Sequence, residues 1–355
     1  MTDDRGDVFA GVDTHRDTHH VAVVDSLGRH LDDAQFATTP AGYAAALVFA
    51  AGFGPLAAAG VEGTGCYGAA FAAYLSGQGV AVVEVNRPDR ATRRRSGKSD
   101  PLDAYAAAWA AASGRASAIP KAHTGIVEAI RVLHLTRRSA VKARTQTINQ
   151  LKNLLVTAPA QLREQLRGLS TTALVDRCAG LRPSTDLTDP HTATKLALRR
   201  LARRHQQLSV EITDADTDLD TLTTTVTPRL RAQTGIGAEG AAKLLIAAGD
   251  NPDRMHSEAA YAHLCAAAPI PASSGRTDRH RLNRGGNRHA NSALHTAALT
   301  RLQHCPRTRA YAARRTEQGL SPRDILRCLK RYIARELFPL LKADLAALNH
   351  PRLTT

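Results

Sequence analysis

Short apolar runs separated by turn residues fill the first 85 positions of the chain, and several of them end in an acidic residue. The runs occupy residues 8–13, 20–25, 29–38, 57–62 and 80–85. Runs of this length, bounded by Gly, Pro or polar clusters, are typical of β-strands. Helical stretches are predicted at 40–52 and in the Gly-led segment 63–77. Three meandering strands followed by strands that alternate with helices predict an α/β domain.

From residue 125 onward, the hydrophobic spacing becomes that of long helices. Residues 125–156 repeat apolar positions at three- and four-residue steps and carry Arg and Lys on the other face. A cleaner heptad seam follows, formed by Leu198, Leu201, His205, Leu208, Ile212, Ala215, Leu219, Leu222 and Val226. Two such helices predict a long antiparallel coiled-coil arm or a self-association element.

The last third of the chain is predicted to be all-α. After Pro228, the glycines Gly235 and Gly237 separate a short helix from an apolar one, which is the layout of a helix–hairpin–helix. In that layout, backbone N–H groups and a helix N-terminus can meet a phosphate. Arg-rich helices continue to about residue 348. We therefore expect an α/β domain at 1–118, an arm at 119–227 and a helical domain at 228–355.

Composition adds a polyanionic partner to this picture. The formal charge is +15, and it is uneven: residues 1–65 have a net charge of −6, whereas residues 275–335 hold fifteen Lys or Arg. Cationic surfaces bind nucleic acid through phosphate contacts and counterion release. Aromatic residues make up only 4% of the chain, so base stacking is not expected to be its main means of binding.

Acidic residues at predicted strand ends form the first candidate site. Asp13 ends the first strand and Glu62 the fourth, while Asp100 and Asp103 open the helix after the fifth strand. Acids at the ends of adjacent strands converge at one edge of a sheet, and Asp100 fits an N-cap before Pro101. Carboxylates suit Mg²⁺, which binds through a few acids plus substrate phosphate. A basic run precedes the helix and contains Arg93, Arg94, Arg95 and Lys98.

A serine in a glycine-containing loop forms the second candidate site. Ser273 and Ser274 precede Gly275, and several arginines follow, which can stabilise charge that builds at phosphorus. A serine nucleophile needs a base, and His280, His289 or a metal-bound hydroxide are all candidates. The alternative is a plain polar loop, in which Ser and Gly are common.

Several motifs resemble one known family of mobile-element enzymes. The segments are GVDTHRDTH (11–19), VEGTGCYG (61–68), RRRSGKSDPLDA (93–104), LRAQTGIGAEGAAKLLIAAGD (230–250) and AAAPIPASSGRTDRHRLNRGGNRHAN (266–291). They resemble the DEDD insertion-sequence transposases, the bridge-RNA-guided recombinases with an N-terminal RuvC-like domain of RNase-H-like fold. The resemblance covers both ends of the chain, and the family also has a coiled-coil arm.

The resemblance implies a composite active site. Asp13, Glu62, Asp100 and Asp103 would bind Mg²⁺ or Mn²⁺, and the serine before glycine, Ser274, would attack DNA, with Ser273 as the fallback. The two halves would come from different protomers, which implies a homo-oligomer, namely a tetramer built from dimers. Partners would be donor and target double-stranded DNA and a structured guide RNA. Expected nucleic-acid contacts are Arg93, Arg94, Arg95, Lys98, Gly235, Gly237, Arg276, Arg281, Arg284, Asn287 and Arg288.

Two rival functions remain open at this stage. A RuvC-like junction resolvase would need the four acids but not the serine loop, and a non-catalytic protein could bridge RNA and DNA with the arm and the Arg-rich tail. His15 and His19 lie beside Asp13, where they could join a metal site, but they are interpreted as ordinary surface residues. The five scattered cysteines, without any CxxC, indicate a reduced cytoplasmic protein without structural zinc, and no membrane span is expected. The family resemblance implies a bacterial protein associated with the nucleoid.

Overall fold

The computed structural model describes residues 6–85, 99–251, 254–276 and 279–349. The chain forms two compact units. The N-terminal unit comprises Met1–Gly125 with Ala248–His256, and the C-terminal unit comprises Ile126–Ala247 with Ser257–Thr355. Among the described helices, none is both long and apolar enough to cross a bilayer. The division into 1–118, 119–227 and 228–355 stays a prediction.

The N-terminal unit is built on a mixed sheet. Its strands β1 to β5 are Val8–Thr14, Thr18–Asp25, His30–Ala37, Leu56–Glu62 and Val82–Val85. They lie in the order β3-β2-β1-β4-β5, in which β2 is antiparallel to both β1 and β3, while β4 pairs in parallel with both β1 and β5. The sheet confirms the predicted α/β part of the chain and is consistent with the expected RuvC-like domain.

Alternation along the strands gives the sheet two different faces. One face carries Val8, Ala10 and Val12 of β1 and packs against helices α1, Pro40–Ala51, and α2, Ala69–Gly77. The opposite face is covered by helix α3, Asp100–Ala112, whose Ala104 and Ala108 pack against β2. The predicted helices at 40–52 and 63–77 are therefore confirmed, the second of them beginning later than expected.

Two glycines let α3 lie almost in contact with the strands. A Cβ atom on Gly11 would lie 2.0 Å from the Ala104 carbonyl oxygen and 2.1 Å from the Ala108 nitrogen. A Cβ atom on Gly60 of the neighbouring strand would lie 2.4 Å from the Ala107 carbonyl oxygen. Since all these atoms belong to the helix backbone, only glycine fits at either position without moving α3.

A methyl group at Gly11 should therefore destabilise the N-terminal unit. We expect Gly11→Ala to lower the free energy of unfolding by about 1–3 kcal/mol, because overpacking must displace the backbone of α3. Gly77→Ala is the matched control, since Gly77 lies in helix α2 with open space around it and alanine favours a helix. Denaturant unfolding of both variants measures the difference, and equal stabilities would contradict the close approach.

Two long helices dominate the first part of the C-terminal unit. Helix α4 is Ile126–Val156, and after α5, Ala160–Leu166, and α6, Thr171–Ala179, comes α7, Pro190–Val226. Arg137 contacts Asp216 at 2.5 Å and Arg144 contacts Ser209 at 3.5 Å. Contacts that advance along α4 while they retreat along α7 make the pair antiparallel. The coiled-coil character of the arm stays a prediction.

The rest of the C-terminal unit is helical, as expected, apart from one small hairpin. Its helices are α8, Pro228–Arg231; α9, Ala238–Ala248; α10, Glu258–Leu264; α11, Arg288–His304; α12, Pro306–Glu317; and α13, Pro322–Asn349. The hairpin pairs β6, Ile270–Pro271, with β7, His280–Arg281. Buried Asp344 of α13 accepts hydrogen bonds from the Leu230 N–H and the Arg229 guanidinium, so its carboxylate ties α13 to α8.

A short segment beyond α9 belongs to the N-terminal unit, which the sequence did not indicate. The Asn251 amide donates to the Pro120 carbonyl at 2.9 Å, and Arg254 Nε donates to the Ile119 carbonyl at 2.8 Å. Arg254 also lies 3.7 Å from Glu84 of β5. Asn251 and Arg254, near the start of the predicted helical domain, thus contact the edge of the sheet domain.

Candidate active site

The strand ends bring two acids to the face of the sheet that α3 covers. Asp13 lies two residues after Gly11, and Glu62 lies two residues after Gly60, so each shares the face of a glycine that contacts α3. Val12 and Val61 are paired in parallel register, which makes Asp13 and Glu62 the next positions on adjacent strands. The convergence of strand-end acids predicted from sequence is thus present for this pair.

The first turn of α3 adds Asp100 and Asp103 at the same end of the sheet. Asp103 is buried, in line with Ala104, which packs on β2. The Asp103 N–H donates to the Ser99 carbonyl at 3.1 Å, so Ser99 is the N-cap and Asp100 is the first helical residue. The predicted N-cap at Asp100 is therefore wrong by one position, and Pro101 occupies the second position of the helix.

His15 joins this acid group. Its Nε2 atom lies 3.2 Å from Asp13 Oδ2 and 3.3 Å from Asp100 Oδ1, and the three residues can offer ligand atoms within 4.8 Å of one another. His15 thus contacts two of the predicted metal ligands, and its part in a metal site stays a prediction. The interpretation of His19 as a surface residue is wrong, because His19 is buried and stacked on Tyr43.

Electrostatics in this group favour a bound cation. The pKa of Asp13 is raised above its usual value, mainly by burial and further by the charges of Asp103 and Asp100, while His15 acts in the opposite direction. Carboxylates gathered this closely repel one another unless positive charge lies between them. Oxygen ligands suit a hard divalent ion, and an imidazole nitrogen is a common additional ligand of transition metals. The donor set therefore fits a divalent metal.

The predicted serine site is an exposed hairpin tip. Strands β6 and β7 pair Ile270 with Arg281, and the Ala272 N–H donates to the Arg279 carbonyl at 2.8 Å. Ser273 and Ser274 lie between these pairs and are exposed, and Gly275 has a φ of 56°, a left-handed conformation that glycine adopts readily. Ser273 Oγ accepts the Arg279 N–H at 3.3 Å, so it helps to hold the hairpin.

Comparison with family models identifies the protein family that has these two sites. A family model described as a transposase, of the DEDD type of IS110, matches residues 10–158, and one described as the transposase IS116/IS110/IS902 family matches residues 227–313. The two ranges contain the acid group and the serine hairpin and together cover about two thirds of the chain. The chain belongs to the IS110-type DEDD transposases. A search of curated proteins gave no match.

The transposase is thus an insertion-sequence enzyme that cuts and transfers DNA, and its predicted DNA contacts can be located. Arg276, Arg281, Arg284 and Arg288 are all exposed on the serine hairpin or the segment after it. Asn287 is instead the N-cap of α11, because its Oδ1 accepts the N–H groups of His289 and Ala290 at 2.9 and 3.0 Å. Arg93, Arg94, Arg95 and Lys98 lie outside the described residues.

The two candidate histidine bases of the transposase differ in their surroundings. His289 Nε2 accepts a hydrogen bond from Arg138 at 2.8 Å, and burial followed by the Arg138 charge lowers the pKa of His289. Its Nε2 lone pair is therefore occupied. His280 belongs to the serine hairpin itself, opposite Pro271, and is exposed.

The glycine turn of the transposase packs closely against helix α11. Gly235 has a φ of 85°, and a Cβ atom there would lie 2.9 Å from Ala297 Cα, so this glycine permits close packing on α11. The turn borders a cavity of about 650 Å³ that Asp216 and Asp220 of α7 help to line. Those carboxylates bind Arg137 and Arg231, respectively. Phosphate binding by Gly235 and Gly237 stays a prediction.

Proposed function

We propose that this transposase cuts DNA with Ser274 as the nucleophile, while Asp13, Glu62, Asp100 and Asp103 hold a divalent metal, and that a structured RNA guides it. The observation that carries the proposal is the acid group, in which Asp13 and Asp100 approach the same His15 nitrogen within 3.3 Å while Asp103 acts on the charge of Asp13. Burial and the charges of Asp103 and Asp100 disfavour the charged form of Asp13, and a bound divalent cation would offset that effect.

The acids would act by holding the metal and the DNA phosphate in one place. Mg²⁺ or Mn²⁺ would stabilise charge on the phosphate oxygens. Asp13 lies on a rigid strand and Asp103 in the first turn of α3, so glycine-mediated packing of that helix fixes their relative position. His15 would orient both Asp13 and Asp100 through its ring nitrogen.

At the other half of the site, Ser274 would exchange one phosphate ester for another. Its hydroxyl proton leaves to a base, its oxygen bonds to phosphorus, and the phosphorus–oxygen bond to one DNA strand end breaks. We assign the base role to His280, because it lies on the same hairpin and Arg138 occupies the His289 nitrogen. Arg276 and Arg281 would neutralise the phosphate during the exchange.

Guide RNA binding is supported by the charge of residues 148–204, which form part of the predicted arm. This segment includes the small core around Leu162, Leu174 and Leu198, and it carries more Lys and Arg than acids. Cationic helices read the phosphate backbone and the shape of structured RNA, not its bases. The RNA would then supply sequence by base pairing, and the enzyme would need few base contacts of its own.

A stand-alone RuvC-like nuclease is the second candidate, because the acid group is complete within the N-terminal unit. Such an enzyme would use water in place of serine and would form no covalent link to DNA. The non-catalytic bridging function is disfavoured by the membership of a transposase family.

Mixing two inactive variants tests whether one active site is shared between protomers of a tetramer built from dimers. Asp13→Asn and Ser274→Ala should each be inactive alone. In random mixed dimers, pairing the intact serine of one protomer with the intact acids of the other should restore about a quarter of the wild-type sites. Strand transfer by the mixture is the measurement. If co-purification proves mixed oligomers and no activity returns, the shared site is wrong.

A further inference from the structure

A cavity of about 950 Å³ opens between α11, α12 and α13, away from the serine hairpin tip. We call it the tyrosine–arginine cavity, defined by Tyr311, Tyr332, Arg307, Arg314 and Arg335. Its volume is in the range of pockets that enclose a small organic ligand. It is too small for a double helix, so an occupant from nucleic acid must be a single unstacked nucleotide.

The floor of the cavity is rigid and its charge is positive. Arg301 is buried and donates two hydrogen bonds of 2.8 Å to Glu336 and one of 2.9 Å to the Thr234 carbonyl. Among the described residues that line the cavity, Glu336 is the one acid, and Arg301 neutralises its charge. Arg307, Arg314 and Arg335 therefore leave a net positive lining, which favours an anionic ligand.

The aromatic part of the cavity can stack on a base. Tyr332 is 51% exposed, and its ring meets Tyr311 edge to face, with centroids 5.6 Å apart. The guanidinium groups of Arg314 and Arg335 lie 5.6 and 6.0 Å from the ring centroids of Tyr311 and Tyr332, respectively, and both arginines line the cavity. An aromatic ring beside guanidinium groups matches the two parts of a nucleotide, the base and its phosphate.

A second cavity shares two lining residues with the first and reaches the serine hairpin. It has a volume of about 510 Å³ and is lined by His280 and Arg281 of β7 and again by Tyr332 and Arg335 of α13. Tyr332 thus forms a wall of both cavities. A strand that passes through them would run along α13 to the foot of the hairpin that carries Ser274.

We propose that Tyr332 stacks on one unpaired nucleotide of the DNA strand that the enzyme cuts, with Arg307 and Arg314 on the adjoining phosphate. The choice of DNA as the bound strand rests on the proposed function, because the second cavity reaches the Ser274 hairpin. The inference that the cavity binds a nucleotide does not depend on the proposed function. This site was not evident from the sequence, because the two tyrosines are 21 residues apart and come together only when α12 packs on α13.

Binding of short single strands by the full-length protein tests the proposal. Fluorescence anisotropy would compare a labelled oligothymidylate with an abasic strand of the same length, which keeps the phosphates and lacks the bases. We expect the wild type to prefer oligothymidylate. Tyr332→Ala should weaken binding of oligothymidylate about fivefold or more and abolish the preference, while Tyr332→Phe keeps both. Arg314→Gln should weaken both strands alike.

The controls distinguish nucleotide binding in the cavity from the proposed serine chemistry. Tyr67→Ala removes an equally exposed tyrosine of the N-terminal unit and should change nothing. The binding measurement requires no DNA cleavage, so a failure of the serine chemistry leaves the cavity result intact. An unchanged preference in Tyr332→Ala would overturn the proposal, as would a wild type that binds the abasic strand equally well. A Tyr332-dependent preference for oligouridylate alone would overturn the choice of DNA.

Discussion

Asp13→Asn should abolish DNA cleavage without weakening the fold. We expect strand cleavage to fall about 10³-fold or more, because the variant loses one charged ligand at the centre of the acid group. Stability in metal-free buffer should be unchanged or higher. Burial and the neighbouring Asp100 and Asp103 disfavour the charge of Asp13, as its raised pKa indicates, and asparagine removes that charge at nearly constant volume.

Metal-dependent stabilisation and a matched control complete this experiment. Mn²⁺ should raise the melting temperature of the wild type and not that of Asp13→Asn, because a ligand that binds only the folded state stabilises it. Asp17→Asn is the control, since Asp17 lies four residues away in the connection to β2 and its side chain is 90% exposed. Cleavage by Asp13→Asn at the rate of Asp17→Asn would refute the metal site.

Ser274→Ala should eliminate strand transfer and any covalent protein–DNA species. The expected loss is at least about 10³-fold, because the substitution removes the proposed attacking oxygen. Ser273→Ala is the matched control from the same hairpin. Ser273 Oγ accepts the Arg279 N–H at 3.3 Å and thereby supports the hairpin, so its loss should loosen the hairpin and cost far less activity.

If Ser273→Ala lost far more activity than Ser274→Ala, the nucleophile would be Ser273. Full cleavage by Ser274→Ala together with no cleavage by Asp13→Asn would instead favour the water-dependent nuclease. Gel assays that separate free strand ends from protein-linked ends distinguish these outcomes. A melting curve for each variant excludes unfolding as the cause of any loss.

Local sequence pattern was sufficient for the sheet and for its acidic edge. Apolar runs of strand length ended at Asp13 and Glu62, and parallel pairing then brought those ends together. The antiparallel helix pair likewise followed from three- and four-residue spacing over α4 and α7. These features depend on residues that are close in sequence or on one rule of strand alternation.

Features that depend on contacts between distant segments were not predictable in this way. His15 became part of the acid group only when α3 brought Asp100 within 3.3 Å of it. Residues 248–256 joined the N-terminal unit through Asn251 and Arg254, which carry no local signal for that position.

The most direct measurement is to identify the residue that becomes linked to DNA. The enzyme would be incubated with substrate DNA, guide RNA and Mg²⁺, denatured, digested with protease and analysed by mass spectrometry. We expect a nucleotide-bearing peptide with the modification on Ser274, present in the wild type and absent from Asp13→Asn. Cleaved DNA without any linked peptide, or a link to a residue other than Ser274, would contradict a serine that acts together with the acid group.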